Sequence, residues 1–175
     1  MYRIVDEFYS SKIFNKILEA VKQLPLNRVP DNYDGKRCSY GETRQYLTED
    51  SDLGELILSR FPYKKDYRRK IEIGNDVNGF WLKSHSDHPA KRKVTVIYLE
   101  GQENNGTTFH YKDHDETIKF IPNRAVYFEP DIKDTFDPSS WQHSVKQVKI
   151  SGIRRTIVVN YVDKSWRDIK KCYDR

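Results

Sequence analysis

Hydrophobic and polar positions divide the chain into a short helical part followed by a longer β-rich part. In the first part, apolar residues recur three or four positions apart up to Leu24, and Pro25 ends the run. A second helix is predicted for residues 52–60, which Pro62 closes. Residues 1–69 are therefore predicted to form an N-terminal helical, supporting portion.

Beyond residue 69 the pattern changes to short apolar runs separated by residues that favour turns, such as Gly74-Asn75-Asp76. The predicted strands, including two in the N-terminal portion, are residues 4–5, 39–47, 70–73, 80–85, 93–99, 107–111, 116–121, 125–128, 143–150 and 154–162. Closely spaced strands of this kind are typical of a β-sandwich, jelly roll or barrel. We expect one domain over residues 1–175, with a β core at 70–163 and a tail at 164–175 that forms a turn or two of helix.

Composition excludes several classes of protein. Aromatic residues make up 13% of the chain, too many for a disordered protein, and the net charge of +5 permits nucleic acid or anionic ligands without requiring them. Cys38 and Cys172 are too few for a disulfide framework and suit a reducing compartment. The first residues lack the apolar core of a signal peptide, and no apolar run is long enough to cross a membrane. A soluble, cytoplasmic protein is expected, with no membrane partner and no oligomeric state that the sequence specifies.

Two histidines and one carboxylate form a candidate metal site. Residues two apart on a strand point to the same face, so His85 and Asp87 project together at the end of a largely apolar strand. His143 can join them from another strand, which would complete the ligand set that binds one face of a ferrous ion. Taken alone, a His-x-Asp sequence is more often a solvated or hydrogen-bonded pair, so the neighbouring strands carry part of the argument.

Arg154 and Thr156 form a second candidate group. A guanidinium beside a hydroxyl suits a bound carboxylate, because the guanidinium can donate two parallel hydrogen bonds. Strand alternation places these two residues on one face and Arg155, Ile157 and Val159 on the other. The second face is the more apolar, so periodicity alone leaves open which face points inward.

Several segments, in the expected order, resemble the iron(II)/2-oxoglutarate-dependent dioxygenases, especially the prolyl-4-hydroxylase-like branch. The matching segments are residues 79–88, 94–99, 105–109, 121–128, 141–145 and 152–157. The resemblance covers about residues 70–162 and implies a double-stranded β-helix, a jelly roll in which the strands carry the site. Trp81 departs from the pattern near a position where many relatives have a tyrosine close to the cosubstrate, and His88 matches no fixed role.

The resemblance also implies a role for each candidate residue. The implied iron ligands, which are also the catalytic residues, are His85, Asp87 and His143. The residues implied to bind 2-oxoglutarate are Arg154, Tyr98 and Thr156. The implied reaction uses Fe(II), 2-oxoglutarate and dioxygen to hydroxylate a peptide side chain or a small molecule, with release of succinate and carbon dioxide. Ascorbate is allowed as a further reductant but cannot be read from the sequence.

Competing interpretations remain open at this stage. A non-catalytic, cupin-like barrel would explain the metal ligands without needing a carboxylate-binding arginine. Oxidative demethylation of nucleic acid is less well supported, because the chain lacks the Arg-x-Asn-x-Thr-x-Arg run usual in that branch. The basic and aromatic segment 63–70 suits either a nucleic-acid surface or a solvated face. His110 and His114 suggest a second metal site, although a polar hairpin tip fits them better.

Overall fold

Two antiparallel sheets and two helices make up the described part of the molecule. The computed structural model describes residues 2–24, 37–38, 43–77, 80–85, 87, 90–129, 142–146, 148 and 152–165. The strands are β1 (Tyr2–Val5), β2 (Arg37–Cys38), β3 (Thr43–Leu47), β4 (Tyr67–Val77), β5 (Trp81–His85), β6 (Lys91–Glu100), β7 (Thr107–His110), β8 (Asp115–Thr117), β9 (Ala125–Phe128), β10 (Gln142–Val145) and β11 (Ile153–Asp163). The helices are α1 (Ser11–Lys22) and α2 (Asp52–Leu58), with a short 3-10 helix at Glu103–Asn105.

The sheets face each other as the two layers of a jelly roll. The larger sheet has six strands in the order β1-β9-β6-β11-β4-β3, and the smaller has five in the order β2-β5-β10-β7-β8. All of these pairings are antiparallel. The predicted fold class, mainly β with flanking helices in a double-stranded β-helix, is thereby confirmed.

Both helices cover the outer face of the larger sheet. Ser10 caps α1 by accepting a hydrogen bond from the Ile13 amide, and Ser51 caps α2 through the Gly54 amide. Ile17 of α1 and Ile57 of α2 are fully buried against this face. The face presents alternate apolar residues of the central strands, namely Ile71, Ile73, Ile97, Leu99, Ile157 and Val159. The helical portion therefore stiffens the sheet from behind and leaves its other face for the interior of the roll.

The interior between the sheets forms a second core. Apolar side chains of both sheets meet there, including Val94, Val96, Phe109 and Phe128. β11 lies in the middle of the larger sheet, and both of its faces are covered, because Ile157 and Val159 pack in the core beneath the helices and Val158 packs against the core between the sheets. The near-continuous burial of this strand explains why hydrophobic periodicity could not identify its inward face.

The turn before β9 adds side-chain hydrogen bonds between the N-terminal segment and the β core, beside the pairing of β1 with β9. Asn123 has a φ of 67°, a left-handed conformation that asparagine tolerates better than most residues. Its side-chain amide donates to the Tyr9 carbonyl at 2.8 Å and accepts from the Tyr9 amide at 2.9 Å. The Tyr9 hydroxyl donates in turn to the Ile57 carbonyl at 2.6 Å. This chain of hydrogen bonds connects the turn before β9 to both helices.

Several predicted boundaries were wrong, each for an identifiable reason. Gly74-Asn75-Asp76 does not break a strand but lies inside β4, because it pairs with residues 154–156 of β11. β8 ends at Thr117, because the Ile118 and Phe120 amides turn to the carbonyls of Thr107 and Glu103. The second helix ends at Leu58, two residues earlier than predicted.

Other predictions fall partly or wholly outside the description. Residues 39–42 of one predicted strand and the tail beyond residue 165 lie outside the described residues. The short strand β2 pairs with β5, where the sequence pattern predicted none. Within the described ranges, neither helix has the length and apolarity that crossing a bilayer requires.

Candidate metal centre

Three predicted ligands come together at one end of the roll. His143 of β10 lies directly opposite His85 of β5 in the paired strands, and their ring centroids are 4.3 Å apart. Asp87 follows β5, and its Oδ2 lies 3.9 Å from Nε2 of His143. One ligand atom from each of the three residues lies within 4.8 Å of the other two. Among the described residues, no other group of three or more histidines, cysteines or carboxylates has this geometry.

The donor atoms fit a bound metal ion. Oδ2 of Asp87 is buried and has no hydrogen-bond partner among the described residues, which is costly for a carboxylate oxygen unless a cation binds it. Nδ1 of His85 donates to the Lys83 carbonyl at 2.9 Å, so the unprotonated nitrogen of the neutral ring is Nε2. A backbone carbonyl that fixes the tautomer in this way is the usual second contact of a metal-binding histidine.

Burial and nearby positive charge act on the pKa of Asp87 in opposite directions. Burial would raise the pKa of its carboxyl group, but the Lys91 ammonium, with further contributions from His143 and His85, lowers that pKa well below the ordinary value. The Lys91 Nζ lies 2.5 Å from Oδ1 of Asp87. A carboxylate that stays charged at neutral pH is the form that binds a metal.

A cavity of about 80 Å³ opens beside these ligands, between the two sheets. Its described lining combines the three ligands with Lys91, Arg154, two hydroxyl groups and a set of mainly apolar side chains. The polar and charged lining residues are His85, Asp87, His143, Lys91, Arg154, Thr107, Thr156 and Glu72. Typical ligand pockets are about 300–1,000 Å³, so this cavity suits a small molecule.

Arg154 lies on the inward face of β11, together with Thr156, and both line the cavity. Nη1 of Arg154 donates to Oδ2 of the buried Asp76, and its Nε donates to the Asn105 carbonyl, both at 2.8 Å. Nη2 takes part in neither bond. Arg155 points to the opposite face, where its guanidinium pairs with Glu100. Tertiary structure thus places Arg154, rather than Arg155, in the cavity.

Tyr98 lies one layer behind the cavity wall. Its hydroxyl donates to Oγ1 of Thr107 at 3.0 Å and accepts from the Thr107 amide at 2.8 Å, and its ring stacks on Phe120. Burial raises the pKa of this tyrosine, so it remains protonated and able to donate. Thr107 is part of the described cavity lining and Tyr98 is not. Direct binding of a ligand by Tyr98 stays a prediction.

The sequence did not identify two cavity residues, Lys91 and Thr107, or the counter-ion of Arg154, Asp76. Asp76 was assigned to a turn, and only the pairing of β4 with β11 places it opposite Arg154. Lys91 lies at the start of β6, two residues before the predicted strand. Thr107 was recognised only as part of a matching segment. The sequence did contain one signal for the position of Asp76. Residues two apart on a strand share a face, so Asp76 lies on the same face of β4 as Gly74, which lines the cavity.

The weaker candidates lie away from the cavity. His110 connects Asp115 and Ser144 through Nδ1 and Nε2, at 2.7 and 2.8 Å, as a hydrogen-bonded residue near a hairpin tip. His114 stacks on Tyr111 in the same hairpin. Trp81 packs beneath the Lys83 ammonium, 5.5 Å from its ring centroid. These contacts account for the side chains without a second metal, and His88 lies outside the described residues.

Comparison with known proteins supports the fold. No family model matches the chain, and no curated protein matches it. A Pseudomonas putida prolyl-4-hydroxylase structure is similar at a TM-score of 0.67 and 11% identity, covering 93% of this chain and 92% of that one. A prolyl hydroxylase from Trichoplax adhaerens, in complex with a hypoxia-inducible-factor peptide fragment, has a TM-score of 0.67 and 18% identity, covering 94% and 84%.

A third similar structure is that of an enzyme named as an epimerase rather than a hydroxylase. The non-heme alpha-ketoglutarate-dependent epimerase SnoN from nogalamycin biosynthesis has a TM-score of 0.68 and 12% identity, covering 93% of this chain and 77% of that one. At these identities the similarity establishes the architecture and leaves the reaction to be argued from the site. The chain has the double-stranded β-helix fold of the 2-oxoglutarate- and iron-dependent oxygenases, in the form found in prolyl-4-hydroxylases.

Proposed function

We propose that the protein is an Fe(II)- and 2-oxoglutarate-dependent dioxygenase that hydroxylates a peptide side chain or a small molecule. The observation that carries this proposal is the buried, unpartnered Oδ2 of Asp87 beside His85 and His143. Two imidazoles and one carboxylate are the ligand set that leaves positions open on ferrous iron. The adjoining cavity adds an arginine and two hydroxyls, as a bound dicarboxylate would require.

Each side chain has a definite task in this scheme. His85, Asp87 and His143 would hold the metal, which with 2-oxoglutarate and dioxygen supplies the oxidising chemistry and releases succinate and carbon dioxide. Arg154 and Thr156 would bind the distal carboxylate of 2-oxoglutarate by charge-assisted hydrogen bonds. Asp76 and the Asn105 carbonyl hold the guanidinium in place, so little side-chain freedom would be lost when the carboxylate binds.

The apolar cavity walls have a task of their own. Val94, Val96 and Val158 line the cavity along the larger sheet. They exclude water from the space that the cosubstrate would occupy, and they thereby strengthen the polar contacts at its ends. A cavity of about 80 Å³ is too small for a whole peptide. The substrate would therefore bind at the mouth, next to the metal ligands.

The similar structures support both substrate classes. The Trichoplax protein is in complex with a peptide fragment, and SnoN is an enzyme of nogalamycin biosynthesis. SnoN is named an epimerase, so the fold also supports an outcome other than hydroxylation. Hydroxylation remains our proposal because two of the three reported neighbours are prolyl hydroxylases.

Succinate formation tests the proposal. The purified protein is incubated with Fe(II), 2-oxoglutarate and air, and succinate is measured with and without candidate peptides containing proline. We expect slow uncoupled turnover of 2-oxoglutarate that a true substrate accelerates. If no succinate forms and calorimetry detects no binding of 2-oxoglutarate to the Mn(II)-loaded protein, the protein would instead be a metal-binding barrel of the cupin kind.

A further inference from the structure

Lys91 makes a direct contact with one of the proposed metal ligands. It is the first residue of β6, and it lines the cavity. Its Nζ lies 2.5 Å from Oδ1 of Asp87. Only 16% of the Lys91 side chain and 7% of the Asp87 side chain are exposed, so solvent screens this ion pair much less than a surface pair.

The two oxygens of Asp87 consequently have different surroundings. Oδ1 accepts a hydrogen bond from the Lys91 ammonium, whereas Oδ2 has no partner in the described part of the chain. Oδ2 is also the oxygen near Nε2 of His143, at 3.9 Å. A carboxylate can bind a metal through one oxygen or through both. With Oδ1 bound to an ammonium, only Oδ2 is available to the metal.

We propose that Lys91 is a positioning residue that restricts Asp87 to a single-oxygen contact with the metal and so keeps a coordination position open for 2-oxoglutarate. This inference rests on the proposed dioxygenase function. Two histidines and one carboxylate oxygen occupy three positions of an octahedral ion, and a chelating keto acid with dioxygen needs the other three. A second Asp87 oxygen on the metal would occupy one of the positions that those ligands require.

The charge of Lys91 gives this role a distinctive signature. An ammonium beside the ligand repels a divalent cation and reduces the electron donation of Asp87, so it lowers metal affinity. Removing it should therefore strengthen metal binding and, by freeing Oδ1 to chelate, weaken binding of 2-oxoglutarate. If Lys91 only stabilised the local fold, its loss would weaken both metal binding and 2-oxoglutarate binding, or would change neither affinity.

Calorimetry on Lys91→Met separates these outcomes without relying on turnover. Mn(II) is titrated into the metal-free protein, and 2-oxoglutarate is then titrated into the Mn(II)-loaded protein. We expect Mn(II) to bind about fivefold more tightly than in the wild type and 2-oxoglutarate about tenfold more weakly. Lys93→Met is the matched control, because Lys93 lies on the same strand and contacts Glu129 and the Tyr127 ring. Its two affinities should equal those of the wild type.

Lys91→Gln provides a second variant that also lacks the charge but keeps an N–H donor for Oδ1. It should bind Mn(II) more tightly, as Lys91→Met does, and lose less affinity for 2-oxoglutarate. Unchanged 2-oxoglutarate binding in Lys91→Met, or a parallel loss of both affinities, would overturn the role of Lys91 alone. A wild-type protein that binds Mn(II) but not 2-oxoglutarate would overturn the proposed function, and the role of Lys91 with it.

Discussion

Asp87 and Arg154 enter the cavity already paired with an opposite charge from the protein. Lys91 faces Asp87, and Asp76 faces Arg154, with hydrogen-bonding distances in both pairs. Pairing offsets much of the cost of burying these charges, but removing one partner leaves an uncompensated charge, which typically costs about 3–5 kcal/mol. A substitution of Arg154 that keeps its positive charge therefore disturbs the pair with Asp76 least.

Arg154→Lys is the sharpest test of the carboxylate site. A lysine keeps a cation next to Asp76 but loses the planar fork of donors, so we expect the KM for 2-oxoglutarate to rise about tenfold with little change in stability. Arg155→Lys, on the opposite face of β11, should leave that KM within about twofold. If the two variants gave the reverse ranking, the assignment of Arg154 to the cosubstrate would be incorrect.

His143→Ala should abolish metal binding while leaving the fold intact. The ring lies near Phe128 and His85, and its loss removes one of three ligands, so Mn(II) affinity should fall more than about 100-fold. Circular dichroism and a Mn(II) titration check the two parts of this expectation. His110→Ala is the matched control, since its ring is bound to Asp115 and Ser144 outside the cavity. Turnover that survived in His143→Ala would show that another residue is the ligand.

At the scale of elements, Gly106 determines how β7 enters the smaller sheet. A Cβ atom at this position would lie 1.7 Å from the Ile118 carbonyl oxygen, a backbone atom that cannot move aside cheaply. The close approach allows the Ile118 amide to donate to the Thr107 carbonyl, just after β8. Gly106, the second residue of the matching segment 105–109, is therefore required by packing.

Gly106→Ala should destabilise the protein by about 1–3 kcal/mol, because the new methyl group forces the two backbone segments apart. Urea unfolding measures the change. Gly101→Ala is the comparison, since a Cβ there would meet only the Phe120 ring, at 2.8 Å, and a side chain yields more readily than backbone. Equal stability of Gly106→Ala and the wild type would rule out this close approach.

Helices and strands with a clear hydrophobic periodicity were predicted well. Elements whose ends depend on pairing with another strand were not. The strand at residues 125–128 has the predicted bounds, and α1 follows the predicted helical spacing. β4 was predicted as four residues and has eleven, because Asn75 and Asp76 are polar but buried and paired with β11. Polar residues inside a strand resemble a turn when only the sequence is read.

At the scale of the whole molecule, two side chains of the turn before β9 reinforce the attachment of the N-terminal portion, which also rests on the pairing of β1 with β9 and on the packing of both helices. Asn123 brackets the backbone of Tyr9 with two hydrogen bonds. Arg124, the next residue, forms two hydrogen bonds with the carboxylate of Asp6. Because α1 and α2 pack behind the sheet that carries Arg154, these contacts affect how rigidly the cavity wall is supported.

Asn123→Gly should cost about 1–3 kcal/mol in the free energy of unfolding, because it removes both hydrogen bonds while tolerating the left-handed φ. Asn123→Ala should cost about 1 kcal/mol more, since alanine also pays for that conformation. Thermal or chemical unfolding of both variants measures the difference. Equal stability of the two variants would contradict a left-handed backbone at this turn.

We predict that the contribution of Asp6 to the free energy of unfolding depends on pH, and Asp6→Asn tests this. Hydrogen bonding to Arg124 lowers the pKa of Asp6 below its ordinary value of 3.8, so the ionised form is favoured in the folded state. The resulting stabilisation is present above pH 3.8 and is lost as the pH falls through the lowered pKa. At pH 7 the variant should be less stable by at most about 1 kcal/mol, because the pair is solvent-exposed.

The gap between wild type and Asp6→Asn should close as unfolding is repeated at successively lower pH. Asp113→Asn is the control, because Asp113 is an exposed residue in the hairpin before β8. Its stability difference from the wild type should not change with pH in this way. A difference that stayed constant from pH 7 to the acid limit would show that the effect of Asp6 is not electrostatic.

The sequence by itself determined the fold class and the proposed ligands. Alternation and turn residues predicted a β-sandwich, jelly roll or barrel, and the resemblance of several segments to known dioxygenases selected the jelly roll. Residue types, the spacing that a strand imposes and the family resemblance together pointed to His85, Asp87 and His143 as ligands. Only the tertiary structure decided which face of β11 points inward and which counter-ions accompany the site. Asp76 reaches Arg154 across paired strands, and Lys91 reaches Asp87, which lies four residues earlier and outside β6. The hydrophobic pattern of a single strand carries no information about either contact.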